Sequence, residues 1–247
     1  MLILKPNNSS KMRKLFVTLL FTLTIAGSLM AQTSTLSGAY EFNNGNETHY
    51  LFLQDGFCFY TVKQDNSFIM SQGGNFNASN GKLNVTILYN SKDSTKVGEK
   101  LSLPYSLPGD QLALQTEQGE AKFSKIDSGK SELAGVWKIT GRMGPDGKIA
   151  DIHQTGSRQT YKLLTGTKFQ WVAIDPDKKL FSGTGGGSYT FKDGKYTEHI
   201  EFFSRDDSRV GAALTFDGKL ENGKWHHSGL SSKGDKISEV WGKATTP

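Results

Sequence analysis

The 247-residue chain has one cysteine, Cys58, and only 6 prolines and 5 histidines. A lone thiol cannot close an intramolecular disulfide, so a fold of this size must be stable by burial alone. Flanked by Phe57 and Phe59, Cys58 reads as a packed strand thiol and not as a nucleophile. Long apolar runs are scarce as well. The one candidate, Leu15 to Ala26, spans 12 residues, too short to cross a bilayer and suited to a secretory h-region. It follows the basic Lys11, Arg13 and Lys14 and is followed by Ala31, so residues 1–31 read as a signal peptide cleaved after Ala31. No cysteine adjoins that point to carry a lipid anchor, and the expected destination is secreted or periplasmic.

A surplus of one charge is also missing. The formal net charge of +5 counts 29 basic and 24 acidic residues, and four of the basic ones lie in residues 1–31, which hold no acid. That leaves 25 basic against 24 acidic residues, interspersed along the rest of the chain. A nucleic-acid binder needs a dense basic face, so that class is excluded.

Beyond Gln32 the chain alternates β-branched and aromatic residues with polar ones, broken at short intervals by turn signals. Asp55-Gly56, Asn80-Gly81, Asp193-Gly194 and Asn222-Gly223 supply the positive φ that tight hairpins need. No helical period persists beyond two turns, and the fold class is all-β.

The pattern also repeats. Gly73-Gly74-Asn75-Phe76 is followed by Gly81-Lys82, and Gly186-Gly187-Ser188-Tyr189 by Gly194-Lys195 at the same interval. Leu36-Ser37-Gly38-Ala39-Tyr40 answers to Leu133-Ala134-Gly135-Val136-Trp137, Leu112 and Leu114 to Trp225 and His227, and Phe123 and Lys125 to Trp241 and Lys243. Two units result, residues 32–128 and 129–247, joined by the polar Asp127-Ser128-Gly129-Lys130-Ser131. The spacing predicts eight short antiparallel strands per unit, in the second near 133–141, 157–164, 168–174, 185–191, 195–203, 211–218, 224–230 and 236–243. Eight such strands can close into a barrel and remove exposed edges. The segment Tyr196 to Phe203 carries charge on both faces, so no lipid-facing surface is expected and no membrane span.

With Gly135-Val136-Trp137 opening the second unit and Trp241-Gly242-Lys243 closing it, the layout resembles the lipocalin and calycin group of ligand-binding barrels. The resemblance implies that Trp137 packs at the closed end against Lys243, where Arg is usual; Tyr40 and Lys125 hold these places in the first unit. Residues 185–203, 225–229 and 239–241 look like a lipocalin-like family of secreted bacterial proteins. The likeness implies a fold, two tandem eight-stranded barrels, and carries no established reaction.

Strand parity places Phe169, Trp171, Tyr189, Phe191, Tyr196, Glu198, Ile200, Phe202, Trp225, His227, Glu239 and Trp241 on one face of the second unit, read as its interior. The repeat sets Val85, Leu114 and Ala121 opposite Glu198, His227 and Glu239. Burying charge costs several kcal/mol, so a fold that accepts Val, Leu and Ala gains no packing from Glu, His and Glu. The expectation is a ligand pocket in the second barrel built from Trp171, Tyr189, Tyr196, Glu198, Trp225, His227, Glu239 and Trp241 for a small amphipathic or hydrophobic molecule. Two other readings stand beside it: an enzyme using Glu198 and His227 as acid and base, and a surface interaction module with solid barrels. No ligand spacing marks a metal site and no cofactor is expected; Gly185-Gly186-Gly187 reads as hairpin chemistry, since no helix follows to bind phosphate.

Overall fold

A computed structural model describes residues 35–153, 155–231 and 234–246; residues 1–31, where a signal peptide is expected, lie outside them. Strands β1 (Gly38–Asn44), β2 (Glu47–Gln54), β3 (Phe57–Gln64), β4 (Ser67–Ser79), β5 (Lys82–Asn90), β6 (Lys100–Ser106), β7 (Gln111–Thr116) and β8 (Gly119–Lys125) form one closed antiparallel barrel in sequence order. It is closed by Tyr40 pairing with Lys125. The second barrel uses β9 (Gly135–Met143), then β11 (Gln159–Leu164), β12 (Lys168–Asp175), β13 (Leu180–Lys192), β14 (Lys195–Phe203), β15 (Ala213–Glu221), β16 (Lys224–Leu230) and β17 (Lys236–Lys243), with β17 returning to β9. This up-and-down, eight-stranded closure is the lipocalin-like architecture.

The hairpins form where the turn pairs stand. Asp55, Asn80, Asp193 and Asn222 have φ of 47°, 52°, 51° and 52°, each followed by a positive-φ glycine, the geometry of tight hairpins whose twist matches the flanking strands. One short strand escaped the periodicity: β10 (Ile149–Asp151), which pairs with Gly141–Met143 beyond the end of β11 and extends the wall at the barrel's open end. A strand of three exposed residues has no buried face to leave an alternation in the sequence.

Two further corrections concern β13. It spans Leu180–Lys192 and not 185–191, and its glycines sit in mid-strand, not in a hairpin. A β-bulge lies between Gly186 and Gly187, opposite Phe202 and Ile200, leaving Glu201 as the extra residue on β14. A Cβ on Gly187 would collide with the carbonyl oxygen of His199, so only glycine lets the strands approach. Gly73 and Gly74 repeat the arrangement opposite Tyr89 and Ile87, where a Cβ on Gly74 would meet the Thr86 carbonyl. The bulge reverses parity at the end of β14: Phe202, expected inside, points outward, and Phe203 faces the interior against Trp171 at 5.6 Å.

Phe202 joins a core shared by both barrels, with Ala39, Phe52, Phe57 and Phe59 from the first and Val136, Leu163, Val172 and Ile174 from the second. Buried in the same seam, Gln170 accepts from Thr61 at 3.0 Å and donates to Ser71 and Thr184, both at 3.0 Å. The linker is docked as well. Asp127 accepts hydrogen bonds from Gly129 N, Gly166 N, the Thr165 hydroxyl and Thr167 N at 2.7–2.9 Å. Burial opposes ionisation of Asp127, but these donors outweigh it and hold its pKa below the usual range.

The closed half of the first barrel is apolar inside, where Leu51, Leu53, Cys58, Phe76, Val85, Ile87, Leu112, Leu114 and Phe123 form one buried cluster; His49, 2.6 Å from the Tyr60 hydroxyl, lies on the same face nearer the other end. Burial pushes the Cys58 thiol up to about 12, which leaves almost no thiolate at neutral pH. Cys58 is therefore expected to be silent toward Ellman's reagent in the folded protein and to react fully in denaturant; rapid labelling of the native state would contradict the packing.

Candidate functional site

At the closed end of the second barrel the indole of Trp137 donates to the Leu133 carbonyl at 2.9 Å, and Lys243 Nζ stands 4.0 Å from the Trp137 ring centroid. Tyr40 repeats this in the first barrel, donating to the Leu36 carbonyl at 2.9 Å with Lys125 over its ring at 5.6 Å. Tyr189 is tied down at the same end as Trp137, its hydroxyl 2.5 Å from Ser131 Oγ and 2.7 Å from the Thr165 carbonyl. Tyr196 and Trp225, both 0% exposed, pack edge to face at 4.9 Å.

Above this floor lies a cavity of about 450 Å³ that opens at the other end of the barrel. Of the eight residues expected from the sequence, Trp171, Glu198, His227, Glu239 and Trp241 line it, while Tyr189, Tyr196 and Trp225 support it from below. The repeat correspondence of Glu198, His227 and Glu239 holds at the level of register. In the β3 and β12 segments, by contrast, it is Cys58, opposite Gly74, that stands where Phe169 stands opposite Gly187, one residue from the match of Phe57 with Phe169 that the sequence suggests. His227 pairs with Glu239 across β16 and β17, and Leu114 pairs with Ala121 across β7 and β8; Glu198 lies opposite Tyr189, as Val85 lies opposite Phe76.

Lys162 is the residue that strand parity missed. It stands on β11 between Trp137 and Trp171, as Leu51 stands between Tyr40 and Tyr60, so the repeat could have disclosed it had the alignment been carried through the β2 and β11 segments. Its side chain is 6% exposed and its ammonium donates to Glu198 Oε1 at 2.8 Å. Four rings, those of Phe169, Tyr196, Trp225 and Trp241, surround Nζ at 5.2–5.8 Å, so the charge is held by a carboxylate and a cage of π faces. Glu198 is engaged in this pair and is not a free base.

The second carboxylate, Glu239, accepts from Arg142 at 2.7 Å and lies 3.5 Å from His227 Nδ1. Burial works against its ionisation, but His227, Lys162 and Arg142 outweigh that and hold its pKa at about 2. His227 is 3% exposed, packed 4.1 Å from the Phe216 ring centroid. Burial, reinforced by Lys162, lowers its pKa below the usual 6.5 despite the opposing pull of Glu239 and Glu198, so the imidazole is neutral at pH 7. Neither of its ring nitrogens has a good hydrogen-bond partner in the protein, and neither does the Trp241 indole N–H. Buried polar atoms are nearly always satisfied; the His227 and Trp241 side chains border the cavity, and the layer beneath holds the Tyr196 hydroxyl and the Trp225 indole N–H, which also have no partner.

Both ionisable groups make acid the destabilising direction. His227 stays neutral in the fold while its unfolded counterpart takes up a proton, so stability falls as pH drops below about 6.5. Glu239 contributes stability that is fully present above its ordinary value of 4.5 and is lost as pH falls through about 2. The His227→Leu variant, which installs the first barrel's Leu114, should therefore show a flatter stability profile between pH 7 and 5, the difference in slope approaching at most about 1.4 kcal/mol per pH unit. Urea midpoints at three pH values measure it; identical profiles would mean that His227 is not the buried neutral group.

Among the described residues no helix is long and apolar enough to cross a membrane, and no group of three or more His, Cys, Asp or Glu residues is placed to hold a metal ion. Comparison with protein-family models and with curated proteins gives no match. Among solved structures, a lipocalin-like protein from Bacteroides uniformis is similar at 16% identity, covering 46% of this chain and 100% of its own, with a TM-score of 0.33. An uncharacterized protein from Bacteroides eggerthii is similar at 16% identity, covering 44% of this chain and 98% of its own, with a TM-score of 0.31.

Proposed function

We propose that the chain is an exported binding protein whose second barrel holds a small amphipathic molecule in its cavity, with the first barrel as a packed companion. The observation that carries this is the contrast within one chain: Lys162, Glu198, His227 and Glu239 surround a cavity at positions where the first barrel has Leu51, Val85, Leu114 and Ala121. A volume of about 450 Å³ with apolar walls and a few convergent polar groups is that of a small-molecule site. Trp171, Phe203, Leu214 and Ile237 give the apolar wall. Trp241 and His227 offer hydrogen-bonding groups that the protein leaves unused. Export is supported by the leader-like residues 1–31.

Catalysis by Glu198 and His227 has less support, because the Glu198 carboxylate is taken up by Lys162 at 2.8 Å. Native mass spectrometry of the chain produced with residues 1–31 and recovered from the exported fraction tests the reading. The expected result is a mature species beginning near Gln32 with a non-covalent adduct that collisional activation removes. A chain retained in the cytoplasm with its leader intact would overturn export, and a mature chain that shows no adduct and takes up no amphiphile on titration would overturn the binding role.

A further inference from the structure

The cavity carries a charge imbalance that bears on what it admits. Five cationic side chains line it, Arg142, Arg158, Lys162, Arg205 and Arg209, against two carboxylates, Glu198 and Glu239, an excess of three positive charges. Residues 32–247 hold 25 basic and 24 acidic residues, so the remainder of that segment is net negative and the surplus is local to this opening.

The surplus is also unevenly placed along the cavity's depth. Deep inside, Lys162 is matched by Glu198 at 2.8 Å, and the exposed Arg142 reaches the buried Glu239 at 2.7 Å. Nearer the mouth, Arg209 is matched by Asp206 at 3.0 Å. Two cations remain. Arg205 donates through Nε to the neutral Ser182 carbonyl at 2.9 Å, and Arg158 makes no ion pair among the described residues. His153, which lines the same mouth, registers the field: burial lowers its pKa, and the charges of Arg158, Arg142 and Lys138 lower it further. A low-dielectric cleft of one sign focuses that field on whatever enters it.

Neutral polar groups dominate what is left at the inner end. The His227 and Trp241 side chains border the cavity, and the buried His227 Nε2 and Trp241 indole N–H have no hydrogen-bond partner in the protein. Trp171 and Phe203, packed at 5.6 Å, lie on the cavity wall with Leu214 and Ile237. The site thus presents unmatched positive charge at the mouth, apolar surface on its wall, and uncharged hydrogen-bonding groups within.

We propose that the second barrel selects an anionic amphiphile: its oxyanion head sits at Arg158 and Arg205, its apolar body lies on Trp171 and Phe203, and its inner end carries a hydroxyl or carbonyl that meets His227 and Trp241. This rests on the binding role proposed above and adds the sign of the ligand and its direction of entry. Guanidinium groups suit an oxyanion because their planar fork can donate two parallel hydrogen bonds.

The test uses three probes of one length on the full mature chain, followed by tryptophan fluorescence and calorimetry: 12-hydroxydodecanoate, 1,12-dodecanediol and 12-hydroxydodecyltrimethylammonium. The carboxylate should bind about ten-fold or more tighter than the diol, the scale of one charge-assisted hydrogen bond, and the ammonium should not bind. Arg158→Ala, an exposed position, should weaken the carboxylate alone. Adding Arg205→Ala should bring it to the level of the diol and abolish its salt dependence. Equal affinity for the carboxylate and the diol, or carboxylate binding unchanged in both arginine variants, would overturn the charge selection while leaving the binding role intact. Failure of all three probes to bind would overturn both.

Discussion

Replacing Lys162 by leucine, the residue the first barrel uses at the same place, is expected to destabilise the protein by about 3–5 kcal/mol, because it strands the Glu198 carboxylate in an apolar interior. Lys162 and Glu198 border the cavity but are only 6% and 7% exposed in their side chains, so water compensates little for the lost partner. The double variant Lys162→Leu with Glu198→Val, which imports Leu51 and Val85 together, should recover that loss and match or exceed the parent, since apolar replacement of a whole buried pair is often neutral or stabilising by about 1–4 kcal/mol. Guanidinium unfolding midpoints of the parent, the two single variants and the double variant close the cycle. A single Lys162→Leu variant as stable as the parent would show that Glu198 reaches solvent and that the pair is not an interior feature.

The adjacent Phe202 and Phe203 should respond in opposite ways. Phe202 is fully buried in the shared seam, stacked against Tyr50 at 6.2 Å, and Phe202→Ala is expected to cost about 3–5 kcal/mol with ligand affinity preserved. Phe203 is only half-buried and faces the cavity beside Trp171. Phe203→Ala should cost less stability and remove most of the binding of an apolar ligand. The reverse assignment would require β14 to run without the extra residue at Glu201. Melting temperature and probe affinity, measured on both variants, decide between the two registers.

Much of the architecture was legible because strand alternation and hairpin chemistry are local. The segments 195–203, 224–230 and 236–243 were placed to the residue, each being flanked by a turn pair or a polar loop. The repeat made the interior comparison possible, since Leu114 opposite Ala121 and His227 opposite Glu239 follow from the same hairpin register. What parity could not show was set by tertiary packing. Phe202 and Phe203 are equally apolar, and only the close approach of Gly186 and Gly187 to β14 fixes which one turns inward. Lys162 sits among Tyr161, Leu163 and Leu164 in a short strand, where a lysine reads as the solvent face. Only the carboxylate and rings gathered from four other strands make it an interior group.

A chain in which Lys162, Glu198, His227 and Glu239 are all exchanged for the first barrel's Leu, Val, Leu and Ala separates a polar interior kept for folding from one kept for a ligand. Titrated with 1,12-dodecanediol, whose affinity does not depend on Arg158 or Arg205, this variant should remain folded at an equal or higher melting temperature and bind the diol far more weakly than the parent does. A folded variant that retains the parent's affinity would contradict the account, and so would a variant that cannot fold although Leu, Val, Leu and Ala fill the same places in its sister barrel.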